Sequence, residues 1–467
     1  MDDGAAARAG MSFVERPDIA DDDSDDGDGD DAEDHVIQPS DAVLLAAATE
    51  EDEHAVLLVH VYDAAAGSLY VHHDVTLPAL PLCVAWMDVA PRRHDGGSAA
   101  PLASYAAVGT FEPGIEIWNL DVLDPLEPSA VLGGWAPGTA GGAGAGGKKK
   151  KKGGAAAVVE GSHSDAVIGL SWNATHRQVL ASAGADEVVK VWDVTTQMCS
   201  ATLTHHSDKV QSVAWHATEA AVLASAAYDG KLAILDVRAA AAAALLPLGA
   251  DPECLIWDPH DGSRLMAGTE DGAVACWDVR KVGAPPLFRF AAHGEGVAGL
   301  SASPHHRGLL ATASEDKTVR LWDASAAGGA AMPVLLAAKP MAVGRLFAVS
   351  FYPGTPFLLA TGGSKGQVAL WHTDDEPAVA ARFLRGEAPA GAAAASANVG
   401  SSSSSSAAAA PAAAAEKAAL KKAQQEEDDR VVAAIEGMAV DDGEAKKQKK
   451  HAKDGSKKHK KKKGKSG

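Results

Sequence analysis

The sequence predicts an all-β fold: a seven-bladed β-propeller with a disordered acidic N-terminal segment and a disordered lysine-rich C-terminal tail. Three observations lead to it. Two aromatic series run at a constant offset, a hydrogen-bonding residue set repeats in the same register, and the text between these landmarks alternates as strands do. Trp-Asp pairs stand at Trp192-Asp193, Trp277-Asp278 and Trp322-Asp323; Leu235-Asp236 fills the gap, and Trp118 and Trp371 extend the series. From Trp118 to Trp371 the intervals are 74, 43, 42, 45 and 49 residues. A second series, Trp172, Trp215, Trp257, Ala302 and Phe351, lies 20 residues upstream of the first at every step.

The finer landmarks keep this register. His163, His206 and His293 each precede a hydroxyl residue by 19 positions, namely Ser182, Ser225 and Thr312. Those hydroxyls precede Asp186, Asp229 and Asp316 by four, and each Asp precedes its Trp, or Leu235, by six. Segments such as Val188–Trp192 and Thr318–Trp322 alternate with period two, and Ala185-Asp186-Glu187 and Tyr228-Asp229-Gly230 read as hairpin turns between them. Four short antiparallel strands per repeat, packed face to face around an axis, satisfy this spacing.

The repeat length and landmarks resemble the WD40 propeller. In that family His, Ser/Thr, Asp and Trp form a buried hydrogen-bonded set that pins a turn to the strands. The full set stands at His163, Ser182, Asp186 and Trp192, and again at His293, Thr312, Asp316 and Trp322. His206, Ser225 and Asp229 lack the Trp, the Trp277 repeat keeps Asp271 with Ala267 at the hydroxyl position, and the Trp371 repeat has Thr361 with Lys365 in place of Asp. Two earlier blades are read from Trp86 and Trp118, with an insertion around Pro91–Pro101, and from His54–Tyr62 as the third strand of a first blade. Ring closure needs one end of the chain to complete the other's blade, and Met11–Glu15 is the candidate strand.

Around this ring the composition changes sharply. Residues 1–40 carry 14 acids and 2 bases, residues 446–467 carry 12 lysines and one acid, and residues 41–415 are net −14. The expected organisation is an acidic segment over 1–40, the propeller over 41–385 with a Gly/Lys-rich insertion at 133–154, an Ala/Ser linker over 386–411, a helix over 412–438 and a basic tail over 439–467. Met1-Asp2-Asp3 has neither the basic nor the apolar region of a secretory signal, and no apolar run approaches the roughly 20 residues of a membrane span. Four scattered cysteines without a CxxC pair suit neither a disulfide scaffold nor a zinc module, so a soluble protein of a reducing compartment is expected.

Three patterns invite an enzymatic reading and each fails on context. Gly142–Lys148 spells a phosphate loop, but Lys149 stands where Ser/Thr would hold magnesium. Gly362-Gly363-Ser364-Lys365-Gly366 spells a nucleophile elbow, but it lies on the turn where other repeats place Asp. The His pairs at 72–73, 205–206 and 305–306 lack companion carboxylates at ligand spacing. No catalytic, cofactor-binding or metal-binding residue is therefore expected.

The lysines are read as functional. Lys446, Lys447, Lys449 and Lys450, and then Lys457, Lys458, Lys460, Lys461, Lys462 and Lys463, form two dense clusters of the nuclear-targeting type. Any nucleic-acid contact would come from this tail and be nonspecific and salt-sensitive. The acidic body favours basic protein partners, such as ribosomal or pre-ribosomal proteins or histones, with no membrane and no small-molecule substrate. Ser24, set among aspartates, is a candidate phosphorylation site for an acid-directed kinase.

Several strings are more specific than the repeats. Tyr70-Val-His-His-Asp74, Pro81–Trp86, Tyr105–Thr110, Ile115–Asp121, Leu126-Glu-Pro128 and Asp165–Asn173 resemble the periodic tryptophan protein 1 family, over about Gln38 to Trp371. The resemblance implies a nuclear, largely nucleolar factor in ribosome biogenesis, tied to ribosomal RNA production or processing and to chromatin. The expected function is a non-catalytic WD40 scaffold in that process; the alternative is a chromatin-associated, histone-binding WD40 protein that regulates transcription.

Overall fold

A computed structural model describes residues 37–38, 40–49, 55–91, 104–137, 157–239, 242–325 and 332–387. The acidic segment with Ser24 and Met11–Glu15, the Lys148–Lys152 insertion, the chain beyond residue 387 and both lysine clusters lie outside the described residues.

Seven antiparallel sheets follow one another along the chain. Blade 1 holds β1 (Ala42–Thr49), β2 (Ala55–Asp63) and β3 (Ser68–Leu77); blade 2 holds β4 (Pro81–Met87), β5 (Tyr105–Thr110), β6 (Gly114–Asn119) and β7 (Ala130–Gly133). Blade 3 holds β8 (Val167–Trp172), β9 (Val179–Gly184), β10 (Val189–Asp193) and β11 (Met198–Leu203), and blade 4 holds β12 (Val210–Trp215), β13 (Val222–Ala227), β14 (Lys231–Asp236) and β15 (Ala242–Pro247). Blade 5 holds β16 (Pro252–Asp258), β17 (Asp261–Thr269), β18 (Ala273–Asp278) and β19 (Phe288–Ala291). Blade 6 holds β20 (Gly299–Ala302), β21 (Leu309–Ala313), β22 (Thr318–Asp323) and β23 (Val334–Pro340), and blade 7 holds β24 (Leu346–Phe351), β25 (Leu358–Gly363) and β26 (Val368–His372).

In the four-stranded blades the chain runs from the innermost strand outward. Inner strands β4, β8, β12, β16, β20 and β24 lie beside one another in that order around the axis. The aromatic series of the sequence now have places. Trp86, Trp172, Trp215, Trp257 and Phe351 sit at or near the ends of inner strands, whereas Trp118, Trp192, Trp277, Trp322 and Trp371 close the third strands. Both series are apolar plugs between blades. Trp192, for example, packs with Val167, Leu180, Ile117 and Leu132, which belong to blades 2 and 3. Burial of such side chains stabilises by roughly 1.5–3 kcal/mol each, so the inter-blade faces supply most of the stability.

The turn between second and third strands takes the same shape in five blades. The residue after the landmark Asp, or after Lys365, has positive φ: Glu187 (68°), Gly230 (70°), Gly272 (80°), Lys317 (69°) and Gly366 (67°). Three of the five are glycine, the residue that adopts this conformation without strain. At Gly272 a Cβ would also run into the His293 carbonyl oxygen.

Two blades have three strands among the described residues. By its alternation and by its contact with β4, β1 is the second strand of blade 1, as β5 is of blade 2 next to β8. Blade 1 therefore has second, third and outer strands, and blade 7 has inner, second and third strands. After β26 the chain makes short helical turns at Thr373–Asp375, Pro377–Val379 and Ala380–Leu384 instead of an outer strand. Val379 buries completely there, and Arg382 bonds to Asp323 (2.6 Å) and Ser325 (2.8 Å) of blade 6.

Candidate interaction surface

The blade residues singled out in the sequence come together as bonded sets. In blade 3, His163 Nδ1 lies 2.9 Å from Asp186 and Nε2 lies 2.7 Å from the Ser182 hydroxyl, which also accepts the Trp192 indole N–H at 2.8 Å. In blade 6, His293 reaches Asp316 at 2.9 Å and Thr312 at 2.6 Å, and Trp322 donates to Thr312 at 3.0 Å. A neutral imidazole with its proton on Nδ1 satisfies every group: Trp donates to the hydroxyl, the hydroxyl to Nε2, and Nδ1 to the carboxylate. His163 and Thr312 are buried and have no opening to a substrate.

The incomplete sets are repaired locally. In blade 4 Leu235 leaves Ser225 without an indole, and His205 Nε2 takes that side of the hydroxyl at 2.9 Å while His206 holds it at 2.8 Å. In blade 5 Thr269, two residues along from Ala267, bonds to Asp271 at 2.5 Å. In blade 7 Thr361 bonds to the Ala348 carbonyl, and Lys339 lies over the Trp371 ring at 5.0 Å. Burial alone would raise the Asp316 carboxyl; bonds from His293 and Thr318 outweigh it and hold the group at about 2.

The enzymatic patterns have ordinary surroundings here. The Ser364 hydroxyl accepts the Arg345 amide at 3.1 Å, on a turn. His72 and His73 contact each other through Nδ1 at 2.8 Å, and His305 bonds to the Pro353 carbonyl. Among the described residues no group of three or more His, Cys, Asp or Glu side chains is arranged to hold a metal. Likewise, none of their helices is long and apolar enough to cross a membrane.

The feature suited to binding lies on the face that carries the second-to-third-strand turns. There Glu253, Glu270, Glu295 and Glu315 line an open cleft of about 420 Å³ with Gly294, Gly296 and Ala298. The backbone positions these carboxylates. Glu270 N–H bonds to the Asp251 carbonyl and Glu315 N–H to the Gly296 carbonyl, so each turn is tied to the loop that enters an inner strand. No basic side chain pairs with any of the four within 4.0 Å among the described residues. Burial, then the Glu315, Glu270 and Asp251 charges, push the Glu253 carboxyl up. The field extends over blade 4, where burial and the charges of Glu253, Asp251, Glu270 and Asp208 push the Tyr228 phenol up to about 12. On the same face Phe111 is 61% exposed, next to Glu112, which accepts the Trp135 indole.

The register contained this cleft, although sequence reasoning reached it only as a net charge. Glu270 and Glu315 each stand one residue before a landmark Asp, and Glu295 stands two after His293. The bond between Tyr62 of blade 1 and His372 of blade 7 left no such trace.

The sheets and bonded sets define a WD-repeat β-propeller, and the family model described as WD domain, G-beta repeat matches residues 157–193, 197–236 and 284–323. These are blades 3, 4 and 6, the ones in which His, hydroxyl and Asp are all present. An uncharacterized WD repeat-containing protein of Schizosaccharomyces pombe is 41% identical over 353 residues, covering 75% of this chain and 65% of that protein. The periodic tryptophan protein 1 homolog of Drosophila melanogaster is 30% identical over 338 residues, 72% of this chain and 68% of that protein. Periodic tryptophan protein 1 of Saccharomyces cerevisiae is 29% identical over 377 residues, 72% of this chain and 63% of that protein. The chain belongs to the periodic tryptophan protein 1 family, and its matches span about two thirds of these relatives' length.

Proposed function

We propose that the protein is a non-catalytic scaffold of the nucleus and nucleolus that binds basic segments of protein partners and acts in ribosome biogenesis, in ribosomal RNA production or processing. The observation that carries this reading is the cleft of Glu253, Glu270, Glu295 and Glu315, four carboxylates with no basic side chain paired to them among the described residues. Like charges held together disfavour one another, and a lysine- or arginine-rich segment relieves that repulsion on binding. Family membership supports the place in ribosome assembly, whose protein components are rich in such segments. The clusters at Lys446–Lys450 and Lys457–Lys463 support nuclear targeting and nonspecific phosphate contact.

The test is localisation and copurification of the tagged full chain, with and without residues 446–467. The reading predicts nucleolar protein that brings down pre-ribosomal particles, and cytoplasmic protein once the tail is removed. A full chain that stays cytoplasmic and brings down no ribosomal or pre-ribosomal protein contradicts it. Recovery of histones alone would favour the chromatin-associated alternative.

A further inference from the structure

We propose that the loop between β6 and β7, residues 120–129, is a second docking element, with Leu126 as an anchor that enters an apolar pocket rimmed by lysine or arginine on a protein partner. Third and outer strands need little chain to connect them. Blade 1 uses residues 64–67 and blade 3 residues 194–197, four in each case, whereas blade 2 uses ten. The additional residues do not pack. Leu126 is 96% exposed, Leu123 53% and Val122 45%, so three apolar side chains within five positions face solvent. None of them belongs to the apolar clusters on either side of blade 2. Apolar groups gathered on one exposed segment gain by burial against a partner and mark an interaction site.

The loop is nevertheless held in one shape. At its base Leu120 N–H donates to the Ser104 carbonyl at 2.9 Å and Ser129 N–H to the Ile117 carbonyl at 2.7 Å. The Asp121 carboxylate accepts the Ser104 amide at 3.1 Å, and the Asp121 N–H donates to Asn119 Oδ1 at 3.0 Å. Pro125 and Pro128 fix the backbone on either side of Leu126. Asp124 has φ 50° although it precedes Pro125, a position that favours extended backbone. Glu187 and Lys317 share a positive φ because their turn recurs in five blades, but no recurring turn calls for it at Asp124. Strained residues of this kind cluster at binding sites, and a preformed anchor loses little freedom when it docks.

Charge decides what the anchor fits. Asp121, Asp124 and Glu127 alternate with the apolar positions. Among the described residues no lysine or arginine pairs with Asp124 or Glu127 within 4.0 Å. Three carboxylates repel a phosphate-bearing surface, nucleic acid or acidic membrane alike, and favour a protein pocket with a basic rim. Burial and the His72 charge push the His73 imidazole down while the Asp124 and Asp74 charges oppose them, so the loop lies beside β3, whose Tyr70 and Val71 are also exposed. Two of the strings that the repeat does not explain, 70–74 and 126–128, come from these two elements. The third strands run from the turns beside the acidic cleft to loops such as this one, which places the anchor on the opposite face. Docking here is therefore independent of the cleft.

The test puts the photoreactive p-benzoylphenylalanine in place of Leu126 in the tagged full chain, identifies what it cross-links in cells, and measures the affinity of that purified protein for the full chain. The cross-link should fall on apolar residues flanked by Lys or Arg. Leu126→Ser should weaken binding at least about tenfold, as expected when one apolar side chain is lost from a pocket. Asp124→Asn combined with Glu127→Gln should weaken it less and flatten its dependence on salt. Leu126→Ser should keep the thermal midpoint of the wild type, and a chain with Gln at 253, 270, 295 and 315 should bind this protein as the wild type does, which separates the anchor from the cleft. The proposal is overturned if position 126 cross-links nothing, or only lipid, nucleic acid or a second copy of this chain. Equal affinity of the purified protein for wild type and Leu126→Ser also overturns it, as does a lowered midpoint, which would make Leu126 a packing residue.

Discussion

The Tyr62 hydroxyl and His372 Nε2 lie 2.8 Å apart although 310 residues separate them in the chain. Tyr62 stands one residue before the end of the third strand of blade 1 and His372 ends the third strand of blade 7, so the contact joins the first blade to the last. Ala42, Leu44, Tyr352 and Leu358 pack around it as a small apolar cluster. Tyr62→Phe keeps that packing and removes the bond, which contributes about 1 kcal/mol. Urea denaturation should show a lower midpoint with an unchanged slope, and exchange should quicken first in β1 and β26.

Ser182 is fully buried and answers both His163 and Trp192. Ser182→Ala leaves the indole N–H of Trp192 and Nε2 of His163 unpaired in the interior, a loss of about 1–3 kcal/mol. Thermal unfolding should show it, and near-ultraviolet circular dichroism should report a change at the tryptophan. An unchanged transition would mean that the set is ornamental.

Two carboxylates should respond to pH in opposite senses. The Asp316 carboxyl is held at about 2, below its value in the unfolded chain. Its contribution is therefore complete above the ordinary Asp range of about 4 and is lost as pH falls towards 2. Asp316→Asn should be less stable than wild type at pH 7, and the difference should shrink over that window. Glu253 is shifted upwards, so its ionisation opposes folding. Glu253→Gln should be the more stable protein at pH 7, and the gain should vanish below about pH 4, where the wild-type carboxyl is protonated in both states. Urea unfolding from about pH 2 to about pH 8 measures both, Asp316 between about 4 and 2 and Glu253 above about 4.

Lys317 holds positive φ at a turn position that Gly230, Gly272 and Gly366 occupy in other blades. Lys317→Gly removes about 1 kcal/mol of backbone strain but loosens the unfolded chain by a similar amount. Calorimetry should find a change within about 1 kcal/mol, whereas Gly272→Ala should destabilise by more, because the added Cβ meets the His293 carbonyl.

The propeller was legible because its landmarks repeat. A bonded set such as His293, Thr312, Asp316 and Trp322 uses residues whose order and spacing are the same in each blade, so periodicity exposes it. The acidic cleft was legible only in part, since the charge total shows an acidic body but not that Glu253, Glu270, Glu295 and Glu315 converge. Ring closure was the least legible. Tyr62 with His372, and Arg382 with Asp323, are single pairings between distant segments, and nothing repeats them elsewhere in the chain.

The proposed function places basic partners at the cleft of Glu253, Glu270, Glu295 and Glu315. Its most direct test is quantitative comparison of proteins recovered with the tagged full chain and with a variant carrying Gln at positions 253, 270, 295 and 315, at matched expression and folding. Basic ribosomal or pre-ribosomal proteins should be recovered with the wild-type chain, released by added salt, and depleted about tenfold or more in the variant, as expected for interactions of charged groups at a surface. Equal recovery of the same partners by both proteins would contradict the account.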